Sequence, residues 1–288
     1  WSSDVCSSDL QGELMDTTVP ASAPRAANAR SLQVLGVPVT DHAMDEALAW
    51  FEQVLTRQPR SRSQAVFFVN AHTLNVACDD PAYREVLRGA DRVYGDGTGV
   101  RWAVRLLHGR RLRDNVNGTD VVPGLFARLA GRGLSYYLLG NTSERIERAA
   151  AQAQAVFPGW RMAGCHHGFL WDQGPEASAE VVRQINASGA DMLLVGMGNP
   201  KQEQWIARHL HQLEVPLCMG TGGLFDYWVG DLVRAPAWVR AIGYEWLHLL
   251  IRQPHKARRY LLGNPLFLAR VLRNRLLGTD RAGHEVLR

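Results

Sequence analysis

The stretch that most constrains this chain is Ala190 to Trp205, ADMLLVGMGNPKQEQW. Met192 to Val195 is a short unbroken apolar run, the pattern of a strand buried on both faces of a parallel sheet. Gly196 and Gly198 then allow a sharp turn and a close approach of backbone to a ligand. Asn199-Pro200 is expected to open a helix, with Asn199 as N-cap and Pro200 at the first helical position. Lys201, Gln202 and Gln204 would sit in the first turn, at the positive end of the helix dipole, where a phosphate or a sugar hydroxyl is held well. Lys201 is one of only two lysines in an arginine-rich chain; the other is Lys256. Gly-rich strand-to-helix turns occur in any α/β protein, so the spacing alone leaves a purely architectural role open.

The same grammar recurs along the chain. Ser31 to Val39 reads as a strand, and Thr40-Asp41 as the cap of a helix to Leu55 with Ala47, Leu48, Phe51 and Leu55 on one face. Ala65 to Val69 is a buried strand that ends in the polar crest Asn70 to Asn75. A helix begins at Pro81, and a brief strand, Arg92 to Tyr94, opens onto Gly95-Asp96-Gly97-Thr98-Gly99 before a helix to Leu107. NVNGTD (115–120) caps a helix over 121–129. Leu134 to Leu139 is a strand turning at Gly140-Asn141-Thr142, and Trp160 to Cys165 is another, ending at His166-His167-Gly168. Val215 to Met219 is the last strand, followed by Gly220-Thr221-Gly222-Gly223. Strand–helix alternation of this kind predicts an α/β fold with a doubly wound, mostly parallel sheet. Ligands bind such sheets beyond the carboxyl ends of the strands. Asn70, Asp96, Asn117, Gln202, Thr221 and Gly222 are therefore expected around one crevice, although Gly and Asn also populate such turns for purely local reasons.

Charge divides the chain. Residues 230–288 carry eleven Arg/Lys against four acids, a net +7, whereas the rest carries 21 basic and 24 acidic residues, a net −3. Pro236 starts an expected helix with Trp238, Ile242, Trp246, Leu249 and Leu250. Pro254 breaks it, and a second helix carries Tyr260, Leu261, Leu262, Phe267, Leu268, Val271 and Leu272 among arginines. Basic, apolar, Trp-bearing helices suit an anionic membrane surface, and equally a helical pair packed on the core with a solvated arginine face. The expected organisation is a disordered lead-in over 1–30, an α/β catalytic domain over 31–229 and a basic, membrane-proximal helical appendage over 230–288. Residues 1–10 resemble a translated sequencing adapter and are set aside from fold reasoning. No secretion signal and no apolar run of about 20 residues is found, so a location inside the cell, peripheral to a membrane, is expected. Cys78, Cys165 and Cys218 are far apart, without a CxxC pair, and read as small buried hydrophobes.

Asp96 is the carboxylate best placed for chemistry, because glycines at 95, 97 and 99 clear its surroundings. It can take a proton from an acceptor hydroxyl as general base; capping the following helix is the competing role. His166-His167 offers two imidazoles, but neighbours on a strand point to opposite faces, which argues against a shared metal.

VNAHTLN (69–75), DRVYGDGTGV (91–100), NGTD (117–120), GMGNPKQEQW (196–205), GTGGLFD (220–226) and EWLHLLIRQPHKARRYLLGNP (245–265) together resemble the WecG/TagA/CpsF glycosyltransferases, in order, over roughly 31–275. The resemblance implies a Rossmann-like core and a C-terminal appendage that reaches the membrane. It implies inverting, metal-independent transfer of a hexose-type sugar (glucose, ManNAc or ManNAc-uronate) from a UDP-sugar to a polyprenyl-diphosphate-linked acceptor, in exopolysaccharide or other cell-surface glycan assembly at the inner face of the bacterial membrane. By position, Asp96 matches the family's proposed base, Asn70 an Asn at the pocket floor, Gln202 the Gln of the PKQE signature, and Arg258 and Arg259 the paired arginines of the appendage. Phe68, Asn115 and His248-Leu249 depart from the residues often found there. No organic cofactor is implied. No Asp-x-Asp pair, the usual handle for a metal diphosphate, occurs in the chain. UDP is then expected to be met by backbone N–H groups near 196–202 and 220–223, and the acceptor diphosphate by appendage arginines.

Other classes fit less well. A nicotinamide-dependent dehydrogenase needs GxGxxG after its first strand, where Thr40-Asp41-His42 stands. A non-catalytic, membrane-surface nucleotide-binding module would use the basic tail and not need Asp96. Nucleic-acid binding is disfavoured by the acidic body. An exposed apolar appendage would also suit a homo-oligomer.

Overall fold

The computed structural model describes residues 30–58, 62–232 and 261–278. A six-stranded sheet, parallel throughout, forms the centre, in the order β4-β3-β8-β7-β5-β6. Its strands are β3 (Gln64–Val69), β4 (Arg92–Gly95), β5 (Ser135–Gly140), β6 (Arg161–His166), β7 (Met192–Gly196) and β8 (Leu217–Gly220). Successive side chains leave a strand on opposite faces, and the apolar runs supply both. Ala65, Phe67, Val69, Leu193, Val195 and Cys218 enter one core, while Val66, Phe68, Met192, Leu194, Leu217 and Met219 enter the other.

The first core is completed by α2 (Ala71–Asp79), α3 (Pro81–Arg88), α4 (Thr98–His108), α7 (Pro175–Ser188) and α8 (Lys201–His209). The second is covered by α1 (Met44–Thr56), α5 (Gly118–Arg128), α6 (Ser143–Val156) and α9 (Leu224–Val229). Helices on both faces make this a doubly wound, Rossmann-like α/β fold. The winding also locates the crevice. β3 and β7 send the chain into helices on the first face, whereas β8, lying between them, sends it to α9 on the second. Loops part where neighbouring strands diverge in this way.

Several local expectations are overridden by tertiary contacts. Residues 31–39 are not one strand but a hairpin, β1 (Ser31–Val34) and β2 (Val37–Thr40), outside the main sheet. Leu35 and Gly36 turn it with φ of 54° and 80°, the doubly positive pair of a two-residue hairpin turn. Thr40 and Asp41 do not cap α1. Thr40 Oγ1 accepts from Val93 N (3.4 Å), and the buried Asp41 accepts from Arg113 N (2.9 Å). The cap position falls to Ala43, whose N–H donates to Glu46 (2.9 Å). The last strand begins two residues later and ends one residue later than its apolar run suggests, and Val215 is buried just outside it. Among the described cysteines, only Cys218 is fully buried.

The C-terminal segment contributes α10 (Gly263–Leu277). Phe267 and Val271 join the first core against α2 and α4. Arg270 donates to Asn75 O (2.7 Å) and to Asp79 (2.5 Å), and Asn75 Nδ2 donates to Gly263 O (2.8 Å). The opposite face is rich in leucine: Leu266, Leu268, Leu272, Leu276 and Leu277 are exposed, Leu276 by 87%, as is Leu262 just before the helix, together with Pro265, Ala269, Arg273 and Arg275. The helix expected from Pro236, and the lead-in, lie outside the described residues.

Candidate active site

The carboxyl ends of the strands carry the polar turns. Val69 pairs with Gly95, so Asn70 and Asp96 leave adjacent strands side by side, about 5 Å apart in backbone. Asp96 N donates to Val69 O (2.8 Å), extending the ladder by one residue. Both side chains are half-buried. Asn70 caps α2, its Oδ1 accepting from His72 N (3.0 Å) and Thr73 N (3.1 Å). Asp96 stands two residues before α4, with Gly97 at the cap. Gly95 is required there, because a Cβ would lie 2.8 Å from Val100 Cγ1, and Gly97 reverses the chain with φ of 87°.

The loop before α5 braces this turn. Asn115 Oδ1 accepts from Gly97 N (2.9 Å). Asn117, buried, spends its side chain locally: Oδ1 accepts from Thr119 Oγ1 (2.6 Å) and Asp120 N (3.0 Å), and Nδ2 donates to Asp120 Oδ2 (2.7 Å). Gly118 packs over the ends of β3 and β8, where a Cβ would be 3.3 Å from the Phe68 ring and 3.8 Å from Thr221 Cα. Asn117 thus shapes the loop from within.

On the β7–β8 side the turns are knitted together. Thr221, buried, donates both its N–H (2.8 Å) and its hydroxyl (3.2 Å) to Val195 O. Gly222 N donates to Gln202 Oε1 (3.1 Å), and Gln202 Nε2 donates to Glu203 Oε1 (2.7 Å), so Gln202 is only 1% exposed with both amide ends engaged. Gln202 N donates to Gly198 O (3.0 Å). The N–H groups of residues 202, 221 and 222 are therefore occupied within the protein, which removes these three from the N–H groups near 196–202 and 220–223 expected to meet UDP. Lys201 is exposed, Gln204 half-buried, and Gly198 exposed with φ of 80°.

The opening of α8 also differs from expectation. The helix begins at Lys201, Pro200 takes the cap position, and the Asn199 side chain turns back to donate to Glu203 Oε1 (2.5 Å). Gly196 is needed for packing, since a Cβ would stand 2.7 Å from the Phe225 ring. Two strands away in sequence, Gly140 would place a Cβ 2.3 Å from Gly196 O, and Gly168 one 2.8 Å from Gly140 Cα. This glycine contact closes the rim between β5 and β7, one of several places where neighbouring strands diverge. The rest of the rim, at β4, β3 and β8, carries the partly exposed Asp96, Asn70 and Gly222 and the buried Thr221. Gln202 covers the end of β8, where a Cβ on Gly220 would meet its Nε2 at 3.1 Å. It therefore lies about two strand spacings, roughly 10 Å, from Asp96.

His166 and His167 do not point apart. His166 ends β6, and the two rings lie 4.3 Å apart between centroids, with His166 Nδ1 2.9 Å from His167 O. Burial and the neighbouring imidazole hold His167 below the usual histidine range. Arg258 and Arg259 lie outside the described residues.

Three participants escaped sequence reasoning. Asn115 locks the Asp96 turn. Asn141 donates to Asp226 Oδ1 (2.9 Å) at the closed side of the rim. Glu203, fully buried, collects Asn199, Gln202 and the Tyr83 hydroxyl (3.0 Å); burial pushes its carboxyl up to about 7, partly offset by those donors. Its signal was an acid on the apolar stripe of α8 beside Trp205 and Ile206.

Comparison with known proteins accords with this geometry. An N-acetylglucosaminyldiphosphoundecaprenol N-acetyl-beta-D-mannosaminyltransferase of Bacillus spizizenii strain W23 is 30% identical over 198 residues, covering 69% of this chain and 74% of the relative. Residues 32–281 match the model of a single glycosyltransferase family, spanning the sheet, the Asp96 rim and α10. The chain belongs to the glycosyl transferase WecG/TagA/CpsF family.

Proposed function

We propose that this glycosyltransferase moves a hexose-type sugar from a UDP-sugar to a polyprenyl-diphosphate-linked saccharide, with Asp96 as general base. The observation that carries the reading is the pair Asn70 and Asp96, half-buried side by side on the rim at β3 and β4. Asn70 Oδ1 is committed to its helix, and no described residue takes its Nδ2 hydrogens, which suits a substrate oxygen. Asp96 removes the proton of the acceptor hydroxyl, that oxygen forms its bond to the anomeric carbon, and the bond to UDP breaks with its electron pair leaving on the diphosphate. A single displacement of this kind inverts the anomeric centre.

Leaving-group charge is met, in this reading, by Lys201 and the amino end of α8 without a metal ion. Gly198 and Gly222 give the diphosphate room, and Gln204 is within reach of it from the first turn of α8. Gln202, Thr221 and Asn117 act by holding their turns. Arg258 and Arg259 take the acceptor diphosphate. The relative's name supports a lipid-diphosphate acceptor and, among glucose, ManNAc and ManNAc-uronate, favours ManNAc as the transferred sugar.

The leucine face of α10, with Arg273 and Arg275 exposed beside it, rests on an anionic membrane at the cytoplasmic side. No helix among the described residues is long and apolar enough to cross a membrane. Because α10 is docked on α2 and α4, the helices that follow Asn70 and Asp96, the membrane-facing helix and the site form one unit. The test is a donor screen: purified protein, a panel of UDP-sugars and a synthetic lipid-diphosphate GlcNAc acceptor, read by mass spectrometry. A product one hexose-type residue heavier supports the reading; no product from any donor, with no UDP binding, overturns it.

A further inference from the structure

The transfer scheme makes no use of the buried carboxyl of Glu203. Glu203 lies behind the rim, in the first turn of α8, with no exposed surface. Its Oε1 accepts from Asn199 Nδ2 (2.5 Å) and Gln202 Nε2 (2.7 Å), and its Oε2 accepts from the hydroxyl of the equally buried Tyr83 (3.0 Å). Ionised, Glu203 only accepts, and protonated on Oε2 toward the Tyr83 oxygen it still accepts at Oε1, whereas an amide donates at one end and accepts at the other. Once Gln202 Nε2 is given to Glu203, only Gln202 Oε1 can face the Gly222 N–H, 3.1 Å away. The reversed amide would set two donors against each other. Gly222 needs such a hold. It has φ of 58°, and nothing stands within 4 Å of the place a Cβ would take, so side-chain packing does not fix it.

We propose that Glu203 is a positioning residue: it fixes the orientation of the Gln202 amide, and through Gly222 it fixes the turn after β8 that borders the rim. Its consequence for donor affinity rests on the glycosyl-transfer reading; its structural content does not.

The test is amide hydrogen exchange at Gly222 in the full chain, with UDP affinity measured alongside. Gln202→Met keeps the bulk and removes the link, so exchange at Gly222 is expected to rise about five- to tenfold, the worth of one buried hydrogen bond, with UDP bound weaker by a similar factor. Glu203→Met should do the same. Glu203→Gln should restore slow exchange, because its amide oxygen can serve Asn199 and Gln202 while its nitrogen donates to the Tyr83 oxygen. Tyr83→Phe touches only Oε2 and should leave Gly222 protected. Unchanged exchange in Gln202→Met or in a folded Glu203→Met overturns the proposal. Should Glu203→Met fail to fold, the unaltered protein decides through its Gln202 side-chain amide protons: slow exchange supports the lock, and exchange as fast as an exposed glutamine overturns it. If UDP binds no form of the protein, the transfer reading falls while the exchange result stands.

Discussion

Glu203→Gln should change how the stability of this protein depends on pH. In the native state burial raises the carboxyl from an ordinary 4.5 to about 7, against the pull of Gln202, Tyr83 and Asn199. Between those values the native protein keeps a proton that the unfolded chain releases. The unfolded state then binds fewer protons, so stability must fall as pH rises from about 4.5 through about 7 and level off above. The gap corresponds to about 3 kcal/mol at roughly 1.4 kcal/mol per pH unit, for a group with no solvent exposure to screen it. Glutamine mimics the protonated acid and has no proton to lose. Urea unfolding of both proteins from pH 5 to pH 8.5 should give a difference of about 1 kcal/mol at pH 5 that grows in favour of the variant to as much as about 3 kcal/mol at pH 8. A difference that stays constant across the range, or grows in favour of the unaltered protein, refutes the reasoning that burial dominates at this carboxyl.

Two other outcomes follow from the packing. Gly140→Ala would force a methyl to 2.3 Å from the Gly196 carbonyl at φ of 149°, and should destabilise by about 3 kcal/mol or more in thermal unfolding; a loss under 1 kcal/mol would mean that β5 and β7 are not held so closely. Replacing Leu272 and Leu276 together by Asp should lower partition onto anionic phospholipid vesicles by at least about tenfold, from the apolar surface that is no longer buried there; undiminished vesicle sedimentation would remove α10 from the membrane contact.

The sheet was legible because its inner strands are buried on both faces. Runs such as Ala65–Val69 and Met192–Val195 have no other stable reading between Gly- and Asn-rich turns. Boundaries and caps were less legible, because each depended on a distant partner. Thr40 and Asp41 are good capping residues whose oxygens are claimed by Val93 N and Arg113 N. Asn199 is a good N-cap whose side chain is claimed by Glu203. The hairpin was missed because Leu35 is an unusual residue at positive φ, and Leu32, Val34, Val37 and Val39 read continuously across it. At the rim, residue types pointed to the right turns but not to which atoms remain available. A glycine that admits a ligand and one that admits Phe225 look alike in sequence, and Gln202 and Asn117 reveal only through their partners that they face inward.

The central claim is that Asp96 accepts the proton of the attacking hydroxyl. Single-turnover transfer by Asp96→Asn, with UDP affinity measured on the same preparation, tests it most directly. The account predicts a rate lower by about two to four decades, with UDP affinity and thermal unfolding close to those of the unaltered protein. Near-native transfer by that variant would contradict it.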